Sequence, residues 1–478
     1  MRRAVPLVLL ALLAAGCGSE GAASSPPPAS TLEATLADPD GDGFLERAGG
    51  EPLRPRGGDA RPGRALATFA QLTDTHVRDE ESPARVPFLD RLGAPFNSTF
   101  RPHEAFSPQV LDAAVRALAR ARPQAVVVTG DITDSAQENE LDQALAALGG
   151  GVVQPDSGGR GYDGVQAAAN PDPFYYRPDN DAPRHPGTLD AAQRRFRAGG
   201  LGVPWYPATG NHDVLVQGEV PPTAAIAAVA TGDRAVTGLD PELLPSAEGV
   251  DAAAAVDALL SQGDVFGRSE AVPADAARAH LSSAEVVGRL AGAAGVVPAA
   301  PGRLDYAFDL GRAARGIVLD TVNREGGSRG LVSAEQVAWL RAELERAGSR
   351  WVVVFAHNPL EASDGGEAAL AALDAAPRVA AVVAGNRHRN TIEPRDSYWL
   401  VGTSSLADFP QQGRMFRLRE AAGGAVLETW MVDHDGRGLA GVARELAYLD
   451  AQGGRPQGFA GRPEDRNARL FVRAQAPR

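Results

Sequence analysis

From Ala65 onward, short apolar runs recur along the chain, each stopping abruptly at polar residues: ALATFAQLTDTH, AVVVTGDITD, VPWYPATGNHD, GIVLDTVN, WVVVFAHNPL, VAAVVAGNRHR and YWLVGTSS. Runs of about four to eight largely β-branched residues with such endings predict buried strands. Between several of them lie helix-period segments, SPQVLDAAVRALARA and SAEQVAWLRAELERA. Strand alternating with helix predicts a layered α/β fold, whose ligands gather beyond the carboxyl ends of the strands. GRMFRLRE and AVLETWMVD follow one another without a helix and predict an antiparallel pair. Two stretches interrupt the pattern. Gly149–Arg197 is rich in Gly, Pro, Asp and aromatics and reads as long ordered loops; Glu219–Pro301 is alanine-rich and predicts a helical insertion beside the strand ends.

Composition narrows the chemistry. The chain has 478 residues, long enough for one large domain. A net charge of −13 argues against binding to nucleic acid or an anionic membrane surface. All 47 basic residues are arginine, which excludes a phosphate-loop lysine and any Schiff-base mechanism. At the N-terminus, Arg2 and Arg3 precede an apolar stretch, Val5–Ala15, too short to span a bilayer, so residues 1–16 read as a secretory signal. LAAGC resembles the lipobox of bacterial lipoproteins, with Ala14 where leucine is usual. Cleavage before Cys17 would leave that residue to carry lipid, with residues 17–30 as a flexible tether; the expectation is an exported protein anchored at the cell envelope, with plain secretion as the alternative. Cys17 is the single cysteine, so the mature chain has no internal disulfide, thiolate metal site or cysteine nucleophile. DPDGDGFLE, from Asp38, has Gly49 at position twelve where a calcium loop needs glutamate, and reads as a solvated turn.

Five strand ends bear the remaining chemistry: Asp74 and His76; Asp131; Asn211, His212 and Asp213; His357; and Asn386 with His388. Carboxylate oxygen together with imidazole nitrogen suits Mn, Fe or Zn better than calcium. His212 sits beside Asn211, and adjacent side chains diverge, so both cannot easily reach one cation. Gly385 reads as the residue that lets the chain turn before His388. Arg387 and Arg389 are placed either to grip a substrate phosphate or to pair with acidic groups. Asn139 and Glu140 read as supporting residues, and His103 as a surface residue, with a place near the site as the alternative because its loop follows Asp74 and His76.

TDTH, TGDITD, TGNHD, AHNP and GNRH resemble the ordered motifs DxH, GDxxD, GNHD, HxP and GHxH of calcineurin-like metallophosphoesterases. Stretches such as LTDTHVRDEESPARV, GLGVPWYPATGNHDVLVQG and FPQQGRMFRL are similar to an exported, actinobacterial-type subgroup. The resemblance implies a four-layer αββα sandwich of two mixed sheets over residues 31–478, with the 219–301 stretch as an insertion. It implies two divalent or trivalent metals (Mn, Fe or Zn). Asp74, His76, Asp131 and His388 would hold the first; Asp131 would bridge to a second held by Asn211 and His357. Two such ions clamp a phosphate and acidify a shared water, so that hydroxide attacks phosphorus. His212 would then assist the leaving group, oriented by Asp213.

One position departs from the motif: Asn386 stands where the family has histidine. An amide oxygen is the weaker donor for these metals. The expectation is a tight first metal and a weak second one. The implied function is hydrolysis of small phosphomonoesters or phosphodiesters, with no nucleic acid and no protein partner. A weakly active or inactive phosphate-ester-binding lipoprotein is the competing reading. The lack of lysine excludes SxxK, which disfavours a serine hydrolase of that kind.

Overall fold

The computed structural model describes residues 29–93, 96, 98–239, 254, 256–261, 267–450 and 456–475. The expected signal, Cys17 and most of the expected tether lie outside the described residues. In chain order the main strands are β1 Arg54–Arg56, β2 Ala65–Leu72, β3 Ala125–Thr129, β4 Trp205–Ala208, β5 Tyr306–Asp309, β6 Ala314–Leu319 and β7 Trp351–Ala356. They continue with β8 Val379–Ala384, β9 Thr391–Arg395, β10 Tyr398–Gly402, β11 Gln412–Ala421, β12 Gly424–Asp433 and β13 Ala468–Arg473. Every apolar run read from the sequence as a strand is one.

These strands form two mixed sheets. The first has the order β1-β13-β12-β11-β2-β3-β4 and the second β5-β6-β7-β8-β10-β9. β2, β3 and β4 run parallel, as do β6, β7, β8 and β10, so the carboxyl ends of each set point one way. β11 and β12 are an antiparallel pair in register from Gln412 opposite Asp433 to Ala421 opposite Gly424.

The sheets pack face to face. Phe69 of β2 meets Phe355 of β7 edge-on at 5.7 Å, and Tyr206 of β4 stacks on Phe308 of β5 at 3.7 Å. Alternation along β7 divides its side chains: Val353 and Phe355 join the core between the sheets, whereas Val352 and Val354 join a second core beneath the helices. Strands buried on both faces read as continuous apolar runs rather than alternating ones. Helix α1, Ser107–Ala121, buries Val110, Leu111, Val115 and Leu118 against the outer face of the first sheet. The other outer face is covered by α2, Ala334–Ala347, capped by the Ser333 hydroxyl, and by α3, Gly366–Asp374. Both helix-period segments are therefore helices, and the molecule is a four-layer αββα arrangement.

The 219–301 stretch is less purely helical than expected. Helices Ala224–Ala230 and Ser283–Ala294 flank an antiparallel pair, Arg234–Leu239 with Gly267–Ala271. The β-branched and small residues of RAVTGL pair as strand despite the surrounding alanine. Part of the stretch packs with the loop after β2: Val86, Phe88, Leu89 and Phe96 share a small core with Val216, Val220, Ile226 and Leu260.

Candidate metal centre

All the strand-end residues meet at one point, where the carboxyl ends of β2, β3 and β4 abut those of β7 and β8. Backbone hydrogen bonds lock the ends together: Asp74 N–H donates to the Gly130 carbonyl at 3.0 Å, His76 N–H to Asp131 at 3.0 Å, and Gly385 N–H to His357 at 2.9 Å. Asp74, His76, Asp131, Asn386 and His388 all adopt left-handed backbone angles, with φ of 50°, 41°, 48°, 64° and 52°. Non-glycine residues seldom do so, and such conformations persist where surrounding structure enforces them, notably at functional sites. Here the kinks turn side chains off the sheet edge into a common space. Gly385 is needed for room rather than for its own angle, because a Cβ there would fall 2.0 Å from Thr73 Oγ1 and 2.5 Å from Asp74 Oδ2.

Three overlapping sets of donors result: Asp74, His76 and His388; His76, Asp131 and His212; Asp74, Asp131 and His357. Within each, the ligand atoms lie within 4.8 Å of one another. Asp131 Oδ2 stands 3.7 Å from His76 Nε2 and 3.2 Å from His357 Nε2, between the two positions. His76 Nδ1 donates to Asp134 Oδ1 at 3.0 Å, and His388 Nδ1 donates to Asp408. Their Nε2 atoms, 3.3 Å apart, face each other across the point that a cation would occupy. His357 Nδ1 donates to the Thr129 carbonyl at 2.9 Å, turning Nε2 toward Asn211 Oδ1 at 3.1 Å. Asn211 Nδ2 donates to the Gly218 carbonyl at 3.1 Å, which directs its oxygen inward. Carboxylate oxygens, imidazole nitrogens and one oriented amide oxygen fit a pair of Mn, Fe or Zn ions.

Without a cation, proton affinities show the concentration of negative charge. Burial works against a charged His388, but Asp74 and Asp408 outweigh it and push the ring to about 10. Burial likewise opposes charge on His357, and Asp131 outweighs it, raising that ring to about 9. His76 is pulled down to about 4, first by burial and next by His212. Burial would raise Asp131, but His357 more than offsets it and holds the carboxyl below its usual range.

Several expectations change. Asp213 does not orient His212. Its Oδ1 accepts from the N–H groups of Ile132 and Thr133 at 2.8 and 2.9 Å, and its Oδ2 from Gly210 N–H at 2.8 Å. His212 Nδ1 donates instead to the Asp134 carbonyl at 2.7 Å, because the short helix Asn211–Val214 turns the two neighbours in different directions. Asn386 meets the site through its backbone N–H, which reaches Asp74 Oδ1 and Oδ2 at 3.0 and 3.1 Å. Arg387 and Arg389 are exposed: the first follows its alternative reading and pairs with Glu361 at 3.3 Å, and the second donates to the Gly458 carbonyl at 2.6 Å. His103 is buried, not at the surface, with Nε2 donating to the Ala407 carbonyl at 2.6 Å. Glu140 does support the site, accepting from Asp134 and Ser135 N–H at 3.1 and 2.8 Å.

Residues without an assigned role prove important. Asp134 lay in plain view in the TGDITD spacing, whereas Asp408 had no local signal, since it meets His388 only through the folded loop after β10.

No curated protein matches the chain. Among solved structures it is similar to a dimetal phosphatase from Danio rerio, at 15% identity over 78% of this chain and 97% of that one, with a TM-score of 0.40. PhoD is similar at 11% identity over 85% and 80%, with a TM-score of 0.32. A purple acid phosphatase from yellow lupin seeds is similar at 11% identity over 81% and 54%, with a TM-score of 0.33. The family model described as calcineurin-like phosphoesterase matches residues 67–390. That span exceeds half of the chain and takes in every residue from Asp74 to His388 described above, so the chain belongs to the calcineurin-like phosphoesterase family and is a phosphoesterase hydrolase.

Proposed function

We propose that the protein hydrolyses small phosphomonoesters or phosphodiesters at a binuclear metal site outside the cytoplasm. The observation that carries this reading is Asp131 Oδ2, poised between His76 and His357 as a bridging carboxylate must be. Bound metals would supply the positive charge that polarises the phosphate and the acidified water that attacks phosphorus. Asp74, His76, Asp131 and His388 would hold the first metal, and Asp131, Asn211 and His357 the second. His212, with Nδ1 tied to the Asp134 carbonyl, keeps Nε2 for the leaving oxygen, on a side chain 23% exposed. Asn386 in place of histidine makes the second metal the weaker one, held in part by substrate.

Turnover of p-nitrophenyl phosphate and bis-p-nitrophenyl phosphate with added Mn, Fe or Zn tests the activity. The expected result is a metal-dependent rate abolished in Asp131→Ala. A rate equal to that of the variant would favour a phosphate-ester-binding role instead.

Among the described residues no helix is long and apolar enough to cross a membrane. The N-terminal signal and Cys17 support an exported lipoprotein of the actinobacterial-type subgroup, with residues 31–478 as its catalytic domain. Cys17→Ala should move the protein from the membrane fraction to the soluble one.

A further inference from the structure

We infer that Asp408 is the positioning residue of the first metal: its carboxylate fixes the tautomer and ring orientation of His388, and Arg101 fixes the carboxylate. This rests on the proposed reading of Asp74, His76, Asp131 and His388 as first-metal ligands.

With the Nδ1 proton of His388 directed at Asp408 Oδ2, the ring presents Nε2 to the site, 3.3 Å from both Asp74 Oδ1 and His76 Nε2. Asp408 is fully buried, and a lone buried carboxylate is costly. Arg101 meets that cost at two points, with Nε 2.5 Å from Oδ1 and Nη2 3.3 Å from Oδ2. The Ser405 hydroxyl adds a third hydrogen bond, donating to Oδ2 at 3.2 Å while accepting from Asp408 N–H at 2.9 Å. The same loop grips a second ligand: Leu406 and Ala407 N–H donate to the Asp74 carbonyl at 3.1 and 3.2 Å. One buried loop thus touches the first-metal set at two of its ligands. It lies beyond residues 67–390, where the family match ends.

The arrangement also separates the two metal positions. His76 is backed by a carboxylate too, Asp134, itself held by Arg78 Nη2 at 2.5 Å. His357 is backed by the neutral carbonyl of Thr129. A carboxylate behind an imidazole raises ligand basicity and fixes its orientation, and losing such a partner weakens metal binding. Both first-metal histidines have a carboxylate behind them, whereas the second-metal histidine has a neutral carbonyl, which orients the ring but raises its basicity less. The inequality of the two sites is therefore built into their surroundings as well as into Asn386.

The test is Mn titration of the metal-free full chain, with free Mn counted by electron paramagnetic resonance, for wild type, Asp408→Asn and Ser405→Ala. Asp408→Asn should weaken the tight class of sites by about 10–100-fold, and Ser405→Ala by less, with the weak class unchanged in both. Thermal melts of the metal-free proteins separate this from packing damage, which would lower the melting temperature without changing the affinity of the folded fraction. If Asp408→Asn takes up its first Mn as tightly as wild type, the inference is overturned while the metal reading stands. If that variant does not fold, Ser405→Ala decides, and an affinity equal to wild type overturns the inference. A wild type that takes up no Mn overturns the metal reading and this inference together.

Discussion

Asp213 Oδ1 accepts the backbone N–H of Ile132 at 2.8 Å, so the aspartate next to the candidate acid holds the loop of Asp131 rather than the imidazole of His212. Asp213→Ala would leave the N–H groups of Ile132, Thr133 and Gly210 without their acceptor. Each buried orphan costs about 1–3 kcal/mol, so thermal stability and metal content should both fall. His212→Gln should instead keep metal content and melting temperature near wild type while kcat drops by about 10²–10⁴-fold. Calorimetry and elemental analysis of the two variants check this. An Asp213→Ala protein with normal stability and metal content would refute the assignment.

Metal uptake should release protons. In the metal-free protein His357 is pushed up to about 9 and His388 to about 10, so at neutral pH both rings are imidazolium and carry a second proton on Nε2. A metal must displace those protons, and raising the pH toward 9 removes the competitor. Affinity should rise with pH by about tenfold per unit for each proton displaced. Isothermal titration in buffers of different ionisation heat reads the number directly; a proton-neutral uptake at neutral pH would contradict it.

Asn386→His should turn a weak second metal into a retained one, with about tenfold or greater gain in affinity. Elemental analysis after dialysis should find about one metal per chain in wild type and about two in the variant. Two tightly held metals in both would remove Asn386 as the cause of weakness.

Gly218 has φ of 72°, and a Cβ there would lie 2.4 Å from His212 Cδ2 and 2.5 Å from Asn211 Nδ2. Gly218→Ala should cost about 1–3 kcal/mol of stability through backbone strain. Displacing Asn211 and His212 should also lower kcat more than it changes KM. Steady-state kinetics and thermal melts of the variant measure both, and wild-type kcat would show that the contact has slack.

The site residues were legible because each apolar run ends at a chemical group. Asp74, His76, Asp131, Asn211, His357 and His388 could be placed at strand termini by periodicity alone, and the structure brings them together. Hydrogen-bond partners were not legible. Sequence adjacency tied Asp213 to His212, but a helical turn after Gly210 sends successive side chains apart. Arg387 and Arg389 flank His388 and yet point outward to Glu361 and Gly458.

By itself, the residue pattern determined a layered α/β fold and which residues stand at its strand ends, and the two-sheet form was implied by the resemblance of the motifs to a family. Periodicity, strand endings and residue chemistry are local properties. Only the tertiary structure decided that Asp408 stands behind His388, that Asp134 serves both His76 and His212, and that Asn211 presents its oxygen because Gly218 takes its N–H. Those relationships depend on how loops distant in the chain are pressed together over the sheet ends, and buried polar groups find their partners only once that packing is complete.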